Sequence, residues 1–412
     1  MQTTHAKRRL SPFVFLQVSS FIGFGSGSMV FMLMPWMAIQ LTGQASAAGL
    51  AVTLTSIPGL LLSPVVGSII DKYGRRRSAI FIELVNALVT VAIPVWAMLA
   101  GNVNFLFLIL VMLVRSAVGS GGSTARKSLI PDAAAAGQIS LERANSIHES
   151  IVAAGFAIGP ALAALCIQWL GANETFWVVA ILGALSGLST MLIRVVEHRD
   201  EHDDDEGRHW LSYSIQGFKI LFTTPSVLLM LSTMLGLAVI YLPTEMVVLP
   251  KIYTDVHDPQ GLGFLISTMA IFTTVGSLSF EKITKHLSYS NTFRLSTITL
   301  ALSMIPMSFF PPQWAMLLCG ALLGLGWGPL PPLVNTVIQR KIPANKRGRV
   351  FSLEMTIWTA GPMMSMSLVG WGVDVFGGQV MYGVLALLVL SAAIIASTRK
   401  SLVELNRAEF DA

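Results

Sequence analysis

Three ionisable residues stand where a chain rarely places them. Arg115, Glu149 and Glu245 each fall inside a long apolar stretch. A lone cation at the centre of a membrane helix costs at least about 2.5 kcal/mol on insertion scales, so Arg115 is expected to face a cavity or a carboxylate. At the 1.5 Å rise of an α-helix, Arg115 lies about 13 Å and Glu149 about 12 Å from the inner ends of successive antiparallel stretches. A glutamate at the depth of an arginine can alternate between ion-paired and protonated states, which is the chemistry of proton coupling. A static ion pair uses the same two residues. His148 is adjacent, but consecutive helical residues point about 100° apart and do not face one spot. Glu245 lies in YLPTEMVVLPK, between Pro243 and Pro250. Those prolines free backbone carbonyls, as in the broken helices that line cavities. Glu245 is suited to carrying a proton or holding a cationic group, and an outer-surface position is the alternative. Glu83, Glu354 and Asp374 lie nearer the ends of their apolar stretches and read as interfacial residues or caps.

The elements that must hold these residues follow from composition. Only 12% of the residues are charged and 53% are hydrophobic, and mean hydropathy is +0.68. One soluble core cannot bury so much apolar surface. The apolar residues come in blocks of about 20, the length a helix needs to cross a bilayer. Open strands would leave backbone groups unpaired in lipid, so helices are expected. Twelve spans are expected near 13–40, 47–70, 78–100, 103–125, 145–170, 174–196, 225–249, 260–281, 290–310, 313–338, 349–374 and 377–398. The first follows Lys7, Arg8 and Arg9 but exceeds the roughly 7–15-residue core of a cleaved signal peptide. The fold class is therefore an all-α membrane protein with twelve transmembrane helices in two six-helix bundles. Residues 1–196 form the first bundle, 197–224 a cytoplasmic linker, and 225–412 the second bundle with its tail. Equal halves around one long polar loop are the layout of a two-bundle carrier.

Charge placement gives the orientation. All of the 27 lysines and arginines except Arg115 and Lys251 fall on one side of these spans. That side is cytoplasmic by the positive-inside rule, with both termini in the cytoplasm. The net charge of +5 belongs to loops facing anionic headgroups, so membrane lipids are the expected partners and nucleic acid is not. The acids between Glu197 and Glu206, with histidines nearby, read as a solvated linker rather than a metal tract. Cys166 and Cys319 lie in spans of different halves and make neither a disulfide framework nor a metal site. No cofactor is expected. GSGGSTARKS is glycine-rich but lacks the phosphate-loop spacing, which argues against an ATP-driven pump. No zinc-binding pair or nucleophile constellation points to an enzyme.

Two loops and one helix carry a further pattern. GSIIDKYGRRR places Gly67, Asp71, Gly74, Arg75 and Arg76 at the spacing Gly-x-x-x-Asp-x-x-Gly-Arg-Arg. Gly67 permits close helix approach, Gly74 a tight turn, and Asp71 sits at a helix end where it can pair with a cation or a helix N-terminus. A positive-inside anchor with a turn explains the same residues. GSLSFEKITKH, from Gly276, repeats the loop in the second half with its acid displaced. This pattern resembles the signature loop of the major facilitator superfamily, whose architecture of repeated halves it fits. Arg115 followed by Gly119 resembles that family's helix 4 motif, an arginine implicated in coupling in proton-linked members. GFAIGPALAA, with Gly155, Gly159 and Pro160, allows tight packing and a kink. It also resembles the motif of the family's antiporters, departing from it at Ala163 and Ala164. ARKSLIPDAAAAGQISLERANSIHES, YLPTEMVVLPKIYTD and GWGPLPPLVNTVIQRKIPANKRGRV resemble Tap-type multidrug efflux pumps of actinobacteria.

The resemblance implies proton-driven export of tetracyclines and aminoglycosides by alternating access; composition and spacing do not show those substrates. Export of an endogenous metabolite such as a siderophore or lipid is the alternative. The expected partners are a small molecule and protons, and a monomer suffices. Arg115, Glu149 and Glu245 are the candidates for proton coupling. Gln17, Phe21, Phe24, Ser28, Tyr241 and Glu245 are the candidates for the substrate wall, with Ser20 and Ser26 on the same helix.

Overall fold

The structure, a computed structural model, describes residues 9–119, 121–195, 224–342, 350, 361, 363 and 365–403. Among the described residues the regular structure is helical, without strands. In the first half, α1 (Ser11–Thr42) and α2 (Ala45–Tyr73) are followed by α3 (Arg75–Ala100) and α4 (Phe105–Gly119). Two short helices, α5 (Gly122–Ser128) and α6 (Ile130–Gly137), lead to α7 (Leu141–Leu170) and α8 (Ala172–Met191). The second half opens with α9 (Pro225–Pro243), a π-helical stretch (Thr244–Val248) and α10 (Leu249–Asp255). It continues with α11 (Pro259–Leu278), α12 (Phe280–His286), α13 (Tyr289–Met307), α14 (Gln313–Trp327) and α15 (Leu330–Lys341). Helical residues 365–376 form α16, before α17 (Gly378–Thr398) and α18 (Lys400–Val403).

Local chemistry explains many of these boundaries. Ser140 caps α7 by accepting a hydrogen bond from the Arg143 amide at 3.4 Å. Asp258 caps α11 through the Gly261 amide at 2.8 Å, and Ser288 caps α13 through that of Asn291 at 3.3 Å. Each side chain satisfies an amide that the first helical turn leaves unpaired. Between α2 and α3, Gly74 has φ 93°, a value open to glycine at little cost. Among the described residues, nine helical runs are long and apolar enough to cross a membrane. The expected spans near 47–70, 290–310 and 349–374 are not among them. They fall on α2, on α13 and on a stretch of which 351–360 lie outside the described residues.

The chain forms two compact units. Unit 1 comprises Met1–Leu33 and Leu54–His202, and unit 2 comprises Met34–Thr53 and Asp203–Ala412. Within unit 1, α3 packs along α8 and along α4 and α5. Within unit 2, α14 packs on α11 and α13, and α17 on α13 and α9. The end of α1 and the start of α2, residues 34–53, cluster with unit 2. There the Asp374 carboxylate of α16 accepts from the amides of Ala45 at 2.6 Å and Ser46 at 3.0 Å. The Thr53 hydroxyl donates to the Met363 carbonyl at 3.1 Å. Asp374 is thus an N-cap supplied to α2 from far along the chain. The linker expected at 197–224 lies, up to residue 223, outside the described residues, as does Glu354.

Candidate functional site

Unit 1 holds a partly buried polar cluster on the face of α3 that meets α4 and α5. Glu83, Asn86 and Thr90 recur at helical spacing and share that face. The Arg126 guanidinium donates to the Glu83 carboxylate, and the Arg126 side chain is 3% exposed. The Phe24 ring of α1 lies 5.9 Å from the guanidinium carbon, within cation–π range. Arg115 donates from Nε to the Thr90 hydroxyl at 3.2 Å. The glycines of GSGG make room for this face. A Cβ on Gly119 would lie 2.6 Å from Asn86 Nδ2, and one on Gly122 would lie 2.9 Å from Glu83 Oε1. Two buried atoms here have no hydrogen-bond partner, Asn86 Oδ1 and Arg126 Nε.

The structure separates Glu149 from the partner expected for it. Glu149 is exposed, and its Oε1 accepts from Lys127 Nζ at 2.7 Å, with both side chains more than half exposed. It pairs with that cation rather than with Arg115 because its face of α7 meets Lys127 at the end of α5. His148, one residue back, points inward to Gln17 Oε1 at 3.2 Å. Gln17 is buried, and its Nε2 has no partner. The one Ser28 hydroxyl proton is shared between the backbone carbonyls of Gly25 at 3.0 Å and Gly155 at 3.3 Å. A Cβ on Gly155 would lie 2.7 Å from the Phe21 carbonyl oxygen, and one on Gly159 would lie 2.9 Å from Ser28 Cβ. The small residues of α7 therefore seat α1, and Ser28 belongs to that seam rather than to a cavity wall. Ser26 likewise donates to the Val179 carbonyl at 3.0 Å. Pro160 lies within α7 without ending it.

At the loop after α2, Arg75 pairs with Asp132 of α6 at 3.4 Å. Arg76 donates to the Met191 carbonyl at the end of α8, at 2.6 Å. Both arginines thus tie the loop to other helices of unit 1. Gly67 and Asp71 lie within α2, and only their helical backbone is described.

Unit 2 presents a different carboxylate. Glu245 lies in the π-helical stretch and accepts a hydrogen bond from the Tyr241 hydroxyl one turn earlier. The Tyr241 ring lies 5.1 Å from that of Trp327 on α14, and Tyr241 itself is buried. The adjacent Thr244 hydroxyl donates to the Tyr241 carbonyl at 2.6 Å, which also accepts a backbone N–H at the end of α9. π-Helical turns inside α-helices occur frequently at functional sites. Among the described residues, Glu245 makes no salt bridge, and no group of three or more His, Cys, Asp or Glu side chains is placed to hold a metal ion.

Sequence reasoning missed Glu83 and Arg126. Glu83 reads as interfacial by its distance from the span end, and Arg126 as one of many cytoplasmic cations. The signal was present in the spacing of Glu83, Asn86 and Thr90, three polar residues on one face of an apolar helix.

Comparison with known proteins adds the evolutionary context. The sequence profile of the Major Facilitator Superfamily matches residues 16–247 and 245–404. The chain is 29% identical over 377 residues to the multidrug efflux pump Tap of Mycobacterium tuberculosis, covering 91% of this chain and 90% of that protein. It is 28% identical over 389 residues to Tap of Mycolicibacterium fortuitum, covering 94% and 95%. Among solved structures, a mutant of the nucleoside transporter NupG superposes with a TM-score of 0.76 at 13% identity, over 96% of this chain and 100% of that one. That likeness speaks to the fold.

Proposed function

Because the chain belongs to the major facilitator superfamily, we propose that this multi-pass membrane protein is a proton-coupled antiporter exporting small drug-like compounds by alternating access. The observation that carries the coupling is Glu245, a carboxyl group in an apolar helix whose hydrogen-bond partner is a neutral phenol. Gaining or losing a proton there breaks no ion pair, so the group is suited to proton exchange during a transport cycle. Arg115 and the exposed Glu149 are proposed as the unit 1 groups that respond to it. Gln17, Phe21 and Phe24 of α1, together with Tyr241 and Glu245, are proposed to meet the substrate. Export of drug-like compounds is supported by the likeness to the multidrug efflux pump Tap, and tetracyclines and aminoglycosides are proposed as its substrates. Both termini are proposed to be cytoplasmic, from the one-sided placement of lysine and arginine. A monomer suffices for this cycle.

The test is purified protein in liposomes under an imposed proton gradient, following labelled tetracycline together with internal pH. Drug movement with opposite proton flux, lost in Glu245→Gln, is the expected result. Gradient-driven drug movement that survives Glu245→Gln and Glu149→Gln would remove both carboxylates from the coupling role. No movement of tetracycline or an aminoglycoside in the unaltered protein would replace drug export with export of an endogenous metabolite.

A further inference from the structure

A groove runs along the surface of unit 2 where α9 lies against α17 and α18. Its volume is about 510 Å³. From Pro225, at the start of α9, to Gly236 it extends about 16 Å at the helical rise. That is close to half of the roughly 30 Å hydrocarbon thickness of a bilayer. Leu228, Leu229, Ala392 and Ile395 line its length. The two hydroxyls among them bond their own helix, Ser232 and Thr233 both donating to the Leu229 carbonyl, at 3.0 and 2.8 Å. The walls are therefore apolar over most of the depth. Gly236 leaves the deep end open, since a Cβ there would meet nothing within 4 Å.

The mouth differs in kind. Arg399 and Ser401 border the groove where α17 ends. The Arg399 side chain is exposed and makes no salt bridge among the described residues. Lys400 follows it, and Arg294 of α13 is held at this end of α17 by donating from Nε to the Ser397 carbonyl at 3.1 Å. α9 begins here too, which brings the positive pole of its dipole to the same end. Among the described residues no carboxylate lines the groove. An apolar trough one leaflet deep, beneath a cluster of positive charge, is complementary to a lipid whose acyl chain fills the trough and whose headgroup is anionic. A free phosphate would leave the trough empty, and a neutral lipid would leave the cations unmatched. Basic pockets between membrane helices on the cytoplasmic side take lipid headgroups in this way.

We propose that the groove between α9 and α17 binds an anionic phospholipid of the inner leaflet, with its phosphate on Arg399 and an acyl chain reaching Gly236. Only the choice of leaflet rests on the orientation proposed above; the lipid site itself goes beyond the transport reading.

The test is native mass spectrometry of the purified full chain, released from micelles holding equal amounts of dioleoyl phosphatidylglycerol and dioleoyl phosphatidylcholine. The unaltered protein is expected to retain phosphatidylglycerol at least about fivefold over phosphatidylcholine, the order that one basic residue gives at an anionic surface. Equal retention of the two would overturn the proposal. Arg399→Gln is expected to keep lipid but bring the ratio near one. Gly236→Leu places its side chain in the open groove rather than against a neighbour, so the fold is expected to survive while retained phosphatidylglycerol falls by the same factor or more. Melting temperatures taken without added lipid check that both variants are folded. A preference unchanged in either folded variant would put the lipid elsewhere on the surface and overturn the site. Glycerol 1-phosphate in excess is expected to leave the bound lipid in place, and displacement by it would overturn the acyl-chain half of the proposal. The measurement needs neither a proton gradient nor a drug, so its outcome and that of the liposome transport test are independent.

Discussion

Glu83 and Glu245 are both carboxylates within apolar helices, yet unit 1 sets its glutamate among guanidinium groups and unit 2 sets its own against a phenol. The first has its charge matched by Arg126, so removing the charge strands that cation. The second has a partner that stays neutral, so its charge can change without orphaning an ion. On the proposed function this divides the work, with unit 2 exchanging the proton and unit 1 registering the change as a rearrangement of fixed charges.

The comparison can be broken at its strongest point first. Glu245→Gln is expected to lower gradient-driven transport by about 100-fold, the order associated with losing a positioned proton-transfer group. Counterflow of drug without a gradient should persist; its loss as well would make Glu245 a binding residue only. Arg126→Gln is expected to cost about 3 kcal/mol in thermal unfolding, because it leaves the Glu83 carboxylate buried and unpaired. A stability change under 1 kcal/mol would place the pair among those that contribute nothing. Tyr241→Phe should lower transport by about tenfold, matching roughly 1.4 kcal/mol, the upper end for an ordinary intramolecular hydrogen bond. The smallest effect is expected from Lys127→Ala. The Lys127–Glu149 pair is exposed at both ends, so its loss should change unfolding by less than about 0.5 kcal/mol.

Helix class and much of the span layout were legible because apolar blocks of membrane length leave few alternatives. Arg115 was visible as the one cation far inside a span, and Glu245 as an acid between two prolines. Partners were not legible. The expectation that Glu149 meets Arg115 rests on equal depth, and depth does not fix the rotation of a helix about its axis. In the structure that rotation turns Glu149 outward to Lys127 and His148 inward to Gln17. Ser28 looked like a cavity hydroxyl because α1 is rich in small polar residues, but the glycines of α7 bring backbone carbonyls within its reach. The cap that Asp374 gives to α2 joins residues more than 300 positions apart, a distance over which periodicity carries no information.

The π-helical stretch at Thr244–Val248 has a consequence in helical phase. One residue of an α-helix is worth about 100° of rotation, and a π-turn admits an extra residue without breaking the rod. Everything beyond Val248 is therefore indexed to that insertion. Tyr253 donates to Gln313 at 2.7 Å and packs its ring 5.1 Å from Phe310. Deleting one residue from the stretch would turn Tyr253 about 100° away from both while Tyr241 and the turns before it kept their places. The same five residues that hold Glu245 also act as the index mark for the end of the helix, so this site and the packing of Lys251–Asp255 cannot vary independently.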